Sequence, residues 1–250
     1  MSHHRLEIKD LTVSYKQVPA VHHVSLELTC GSCVGLLGPN GAGKTSFFKA
    51  LVGLVPLETG SVRFHGHAGK VARSEIAYLP QRTIVDWDFP ITVRGIVEMG
   101  RYRALGWWRK FGNADQSAVD RSLEAMELKD LENRQISALS GGQQQRAFLA
   151  RALAQEAHVF LLDEPFSGLD KPAQDLLASS IRRLADAGNL LVVSHHDLRT
   201  VRELFDHVIF INGELVAFSK TDEAFTAENI QKTFQTHIFS GAVHEHGLAL

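Results

Sequence analysis

Residues 38–45 read Gly38-Pro39-Asn40-Gly41-Ala42-Gly43-Lys44-Thr45, and their reading decides the fold. They fit the pattern G-x-x-x-x-G-K-[ST] with nothing missing, and the pattern has a mechanism. Gly38, Gly41 and Gly43 let the backbone turn tightly and approach a polyphosphate. The N–H groups of such a turn point inward as an anion nest. Lys44 reaches the terminal phosphates, and Thr45 offers its hydroxyl to Mg²⁺. The surroundings agree. Cys33-Val34-Gly35-Leu36-Leu37 is a short apolar run with the length of a buried strand, and residues 45–52 follow with helical character. The phosphates then sit at a helix N-terminus, where bare N–H groups favour anions. Taken alone, this stretch specifies a bound nucleoside triphosphate and says nothing of its use.

Working outward, the whole chain sets bounds. Its 250 residues suit one large domain or two small ones, with 44% hydrophobic and 22% charged residues. A formal net charge of −2 supplies no basic field for nucleic acid or anionic lipid. No apolar run approaches the ~20 residues that span a bilayer. Met1-Ser2-His3-His4 begins no signal peptide, so the expected compartment is the cytoplasm. The two cysteines, Cys30 and Cys33, have the C-x-x-C spacing of redox or zinc chemistry. No second pair completes a four-ligand site, so they read as turn and core residues.

Along the chain, Leu6, Ile8, Leu11, Val13 and Tyr15 are spaced like an edge strand kinked at Asp10. Val24, Leu26 and Leu28 alternate as a second strand. Val62-Arg63-Phe64 and Ile76-Ala77-Tyr78-Leu79 are two more. The texture changes over residues 82–138, where helical stretches (93–99 and 115–127) bracket a basic and aromatic segment, 101–111. After Ser140 the α/β alternation resumes. Asn212-Gly213 between two apolar runs is a strong hairpin signal. Residues 221–250 carry a weaker pattern and end as a loose tail.

Two further stretches carry chemistry. Val159-Phe160-Leu161-Leu162-Asp163-Glu164 is an apolar strand ending in two carboxylates. A strand covered on both faces is apolar throughout, and its carboxyl end is where α/β sheets bind ligands. Asp163 is placed to hold Mg²⁺, and Glu164 to act as general base on an attacking water. Leu139-Ser140-Gly141-Gly142-Gln143 precedes a helix. Ser140 is a good N-cap, and the glycines leave a second set of N–H groups bare.

That pentapeptide, lying between the phosphate loop and the Asp-Glu strand, makes the chain resemble the ABC ATPases over about residues 5–220. The resemblance implies the fold: an α/β P-loop NTPase core with a mixed sheet and helices, a helical subdomain inserted at about 82–138, and an antiparallel β-subdomain. Residues 221–250 are then a C-terminal extension. It also implies roles. Tyr15 stacks on adenine. Gly38, Pro39, Asn40, Gly41, Ala42, Gly43, Lys44, Thr45 and Ser46 bind ATP. Ser140, Gly141, Gly142, Gln143 and Asp170 contribute across a dimer, Asp170 from the crossing loop Ser167-Gly168-Leu169-Asp170. Thr45, Gln81 and Asp163 hold Mg²⁺. Lys44, Gln81, Glu164 and a switch histidine serve catalysis. That histidine is His196, which directly precedes Asp197, with His195 as the alternative. The implied cofactors are ATP and Mg²⁺.

One cassette without a bilayer span implies a separate integral membrane permease and a second ATPase subunit, most simply an identical one. Within the family, the run around Trp87, Phe89, Met99-Gly100-Arg101-Tyr102 and Trp107-Trp108, with His195-His196-Asp197-Leu198, resembles the importers of manganese, zinc, iron and their chelates. The implied function is the ATP-hydrolysing subunit of such an importer, peripheral on the cytoplasmic face of the membrane. It would work indirectly with an extracytoplasmic metal-binding protein and without nucleic acid. A siderophore or haem importer and a non-transport ABC regulator are the alternatives. Trp87, Phe89, Trp107 and Trp108 have the chemistry either of an interface core that docks the permease or of packing within the small subdomain. His237, His244 and His246 near the C-terminus read as a solvated tail.

Overall fold

Two sheets carry the fold in a computed structural model of the chain, which describes residues 5–15, 18–81, 89–105 and 109–234, with the side chains of Tyr15, Lys70 and Val71 outside the description. The smaller is antiparallel. β1 (Arg5–Tyr15) lies between β2 (Val18–Thr29) and β4 (Thr59–Phe64), and β5 (His67–Ala68) follows β4 at the edge. The sequence suggested an edge position for β1, and the structure places it inside the sheet. The kink behind that reading is a bulge. Asp10 takes φ 49°, and the β1–β2 register shifts between Ile8 and Leu11. A bulge bends a strand without removing it from its ladder.

The larger sheet is ordered β10-β9-β3-β8-β7-β6. Its strands are β3 (Ser32–Leu37), β6 (Ile76–Leu79), β7 (Val159–Leu162), β8 (Leu190–His195), β9 (His207–Asn212) and β10 (Glu214–Lys220). All pairings are parallel except the β9–β10 hairpin, which turns at Gly213 with φ 75°. Every residue of β3, β7 and β8 is buried. Alternate residues serve two cores. Cys33, Leu37, Phe160, Leu162, Leu191 and Val193 face a helical layer. Val34, Leu36, Val159, Leu161, Leu190 and Val192 face the small sheet and α1 (Lys44–Leu51), which contributes Phe47 and Phe48. Coverage on both faces is why these strands read as unbroken apolar runs.

α2 (Gly69–Ser74) leads into β6. Between β6 and β7 come α3 (Val93–Met99), α4 (Tyr102–Leu105), α5 (Asn113–Ala125) and α6 (Gly141–Ala154). α5 starts two residues before the sequence reading. Asp115 Oδ2 accepts the N–H of Gly112 at 3.1 Å, closing the first turn around an acidic third residue. α7 (Lys171–Asp186) lies against β3 and β8 on the helical face, and α8 (Val201–Leu204) precedes β9. Beyond the hairpin the chain forms α9 (Thr221–Ala224) and α10 (Ala227–Phe234). Ile230 is buried in the helical-face core, and Asn212 Nδ2 donates to the Thr233 carbonyl at 3.0 Å. Two short helices held by one apolar face leave little periodicity to read.

Candidate nucleotide site

Strand register assembles the site. Leu37 sits opposite His195, while Leu162 is paired with Leu79 on one side and Val193 on the other. The segments leaving these positions are the phosphate loop, the Asp163-Glu164 turn, Gln81 and the histidine pair. All emerge at the carboxyl rim, where parallel sheets bind ligands.

The loop geometry depends on two glycines. Gly43 caps α1 with φ 92°, and a Cβ there would lie 2.3 Å from the Ala20 carbonyl oxygen and 2.5 Å from Val21 Cγ2. A Cβ on Gly38 would lie 2.2 Å from the Ile211 carbonyl oxygen. No side chain caps α1, so its first N–H groups face the cleft for an anion. Lys44 is 6% exposed. Its Nζ donates to the Gly38 and Pro39 carbonyls at 2.7 and 2.9 Å. Burial pulls its pKa down, against the opposing pull of Glu164 and Asp163. A phosphate oxygen is a better partner for this ammonium than a carbonyl, because it adds attraction between two opposite full charges to the hydrogen bond.

Across the cleft, Asp163 is buried and collects three hydroxyls. Thr45 Oγ1 donates to Oδ2 at 2.7 Å, Tyr78 Oη to Oδ2 at 3.3 Å, and Ser194 Oγ to Oδ1 at 2.8 Å. Ser194 Oγ also accepts the Glu164 N–H at 2.7 Å. Gln81 Nε2 donates to Glu164 Oε2 at 2.9 Å, and Glu164 itself takes φ 49°. A non-glycine residue in that region is held there by its surroundings. The hydroxyl of Thr45 and the carboxylate of Asp163 are hard oxygen donors in contact, the chemistry Mg²⁺ requires. Sequence reasoning missed Tyr78 and Ser194 as site residues. Each neighbours a quoted motif, and only the sheet register reveals that they orient Asp163.

A cleft of about 400 Å³ is bounded by Ala20, residues 40–46, Gln81 and Glu164. None of Ser140, Gly141, Gly142, Gln143 and Asp170 borders it. Ser140 caps α6 reciprocally with Gln143: its N–H donates to Gln143 Oε1 at 3.0 Å, and its Oγ accepts the Gln143 N–H at 3.4 Å. Asp170 caps α7 by accepting the Ala173 N–H at 3.1 Å. The Tyr15 side chain, Trp87, Trp107, Trp108, His237, His244 and His246 lie outside the described residues.

The two histidines differ sharply. His195 is 6% exposed. Its Nε2 lies 2.8 Å from Thr200 Oγ1, and Phe166 and Phe205 meet it edge-on. Burial first, and the neighbouring His196 second, push its pKa down to about 4. His196 is exposed and borders a second cavity with Ser167 and Asp197. His195 lines the same cavity from its buried side. The buried histidine has a consequence. Its folded pKa lies below its unfolded value near 6.5, so acid favours the unfolded chain. The contribution of His195 to stability should be fully present above about pH 6.5 and be lost as pH drops toward 4, by on the order of 3 kcal/mol. Chemical denaturation at stepped pH measures this. His195→Phe should flatten that slope.

Burial raises the Cys30 thiol to about 11 and Cys33 to about 12. Both are protonated at neutral pH, as turn and core residues are. Among the described residues no three His, Cys, Asp or Glu side chains group as a metal site.

The site's parts therefore match the order and geometry of a nucleotide-binding cassette. The profile of the ABC transporter family matches residues 21–167. The chain belongs to that family. It is similar to the manganese transport system ATP-binding protein MntB of Halalkalibacterium halodurans, 40% identical over 93% of both chains. It is similar also to the zinc transport system ATP-binding protein TroB of Treponema pallidum, 41% identical over 94% of this chain and 88% of that one. Among solved structures it resembles an ABC transporter assigned to the metal-chelate type, in an inward-facing conformation, with TM-score 0.81 and 28% identity over 93% of this chain and 89% of that one. As an ABC ATPase the chain binds and hydrolyses ATP, on a P-loop NTPase fold. Among its described residues no helix is long and apolar enough to cross a membrane.

Proposed function

We propose that this ABC ATPase powers import of a transition metal ion (manganese, zinc or iron) or its chelate. The observation that carries the reading is similarity of about 40% over nine-tenths of the chain to ATP-binding proteins of manganese and zinc transport systems. The similarity to a metal-chelate type transporter keeps a chelate within the range of cargo.

In this reading residues 38–46 hold the ATP phosphates, and Tyr15 stacks on the adenine. Thr45, Gln81 and Asp163 would hold Mg²⁺, and the chemistry it would supply there is neutralisation of phosphate charge. Glu164, held by Gln81 and by its own N–H on Ser194, orients the attacking water and takes its proton. Lys44 and His196 stabilise the charge that develops on the phosphate. The cleft lacks Ser140, Gly141, Gly142, Gln143 and Asp170 within one chain. A second ATPase subunit, an identical copy in the simplest case, supplies them. ATP then favours the closed dimer because only closure brings both walls to the γ-phosphate, and a ligand shifts an equilibrium by its differential affinity.

The work is passed to an integral membrane permease, with this chain peripheral on the cytoplasmic face and a metal-binding protein on the far side. Phe89, Met99 and Tyr102 support a docking surface, being 57%, 43% and 58% exposed around α3 and α4. Residues 82–138 form the helical subdomain that carries it, within an ATPase domain of residues 5–220 followed by an extension over 221–250.

Metal-resolved uptake tests the reading. Cells lacking this chain should lose accumulation of one transition metal by about tenfold or more. Wild type should restore it, and Lys44→Ala should not. Unchanged uptake of manganese, zinc, iron and their chelates in those cells would sink the proposal.

A further inference from the structure

The seam between the ends of α3 and α6 lies far from the nucleotide in sequence and is built with unusual economy. Gly100 ends α3. A Cβ there would stand 2.3 Å from the Arg151 carbonyl oxygen and 3.0 Å from Ala154 Cβ. The two helices therefore meet backbone to backbone, and only glycine fits. Arg101 follows, 6% exposed. Its guanidinium fork reaches three elements. Nη1 donates to the Ala154 carbonyl at 2.8 Å and to Glu156 Oε2 at 2.7 Å, and Nε donates to Asp115 Oδ1 at 3.0 Å. Ala154 is the last residue of α6, whose terminal carbonyls have no partner within their helix. Asp115 sits in the first turn of α5, fully buried, and takes a second bond from Arg109 Nη2 at 2.7 Å.

One planar cation thus pins the start of α5 and the end of α6 to the segment leaving α3. A fork of fixed geometry holds orientation in a way a lysine point charge does not. The neighbours of this dipeptide are Met99 and Tyr102, both exposed. The other end of α6 is the Ser140 turn, about 21 Å away along a 14-residue helix. Arg101 and Asp115 are buried while Glu156 and Arg109 are half exposed, so the pair at the centre of the cluster is the part withdrawn from water.

We propose that Arg101 is a positioning residue that locks the exposed Met99–Tyr102 surface to α6, so that displacement of that surface by the permease moves the Ser140 turn as one body. This rests on the reading of the chain as a permease-coupled ATPase. Arg101 touches no nucleotide and acts through α6.

The test compares uptake in cells with ATPase activity of the purified chain. Arg101→Gln should lower the thermal midpoint, because buried Asp115 loses a partner, yet keep the wild-type basal ATPase rate and KM for ATP at temperatures where it stays folded. It should lower restored metal uptake by roughly tenfold or more. Arg101→Lys keeps the charge without the fork, and should fall between wild type and Arg101→Gln in uptake. It also serves as the readable variant if Arg101→Gln does not fold. Full uptake with either variant overturns the proposal. So does a parallel loss of basal ATPase and uptake in both, which would make the seam a packing feature only. Failure of wild type itself to restore uptake would fault the transport reading instead, so the two failures are told apart in one experiment.

Discussion

Glu164→Gln should bind ATP as wild type does, hydrolyse it roughly 100- to 10,000-fold more slowly, and accumulate as a dimer in ATP. The substitution removes a proton acceptor and little else. The backbone N–H of residue 164 still donates to Ser194, so the turn keeps its anchor on the Asp163 network. Gln81 still finds an amide oxygen where it now meets Glu164 Oε2. The phosphate loop is untouched. Slow turnover then prolongs the ATP-bound state, and the closed dimer gains population in proportion. Size-exclusion chromatography with light scattering reads the dimer, and phosphate release reads the rate. Near-normal hydrolysis would move the base role elsewhere, and a monomer in ATP would remove the argument for a shared site.

The phosphate loop was legible because its chemistry is local. Eight consecutive residues carry the whole pattern, and α1 begins within them at Lys44. The apolar strands were legible for a different reason. Residues buried on both faces leave no choice of side chain, so β3, β7 and β8 stand out as runs. What stayed hidden depends on register. Tyr78 and Ser194 converge on Asp163 from two flanking strands, and spacing along the chain carries no trace of that. The position of β1 inside its sheet was hidden by the bulge at Asp10, which imitates an edge. Arg101 looked like one base in a basic and aromatic segment, yet its partners Asp115 and Glu156 are 14 and 55 residues on. The histidine pair is intermediate. Sequence favoured His196 by its neighbour Asp197, and burial of His195 between Phe166 and Phe205 supports the same preference.

Lys44→Ala separates binding from folding. In the structure the ammonium is withdrawn from water, its partners are two neutral carbonyls, and burial lowers its pKa. A lysine whose folded pKa lies below its unfolded one is charged at neutral pH at a cost to the folded state. Removing it should therefore leave the nucleotide-free thermal midpoint unchanged or higher. The loss appears only with ligand. One charge-assisted bond to phosphate contributes roughly 1.5–3 kcal/mol, so ATP affinity should fall by about 10- to 100-fold. Loss of the same charge in the transition state should cost kcat a further factor of roughly 100 or more. Wild type in ATP at about 100 times its Kd should gain about 2.7 kcal/mol of stability by mass action. At the same ATP concentration the variant should gain much less. Thermal melts with and without MgATP measure both halves. A lower midpoint without nucleotide would mean that Lys44 holds the loop together, and an undiminished shift with ATP would mean that the phosphates rest on the backbone N–H groups alone.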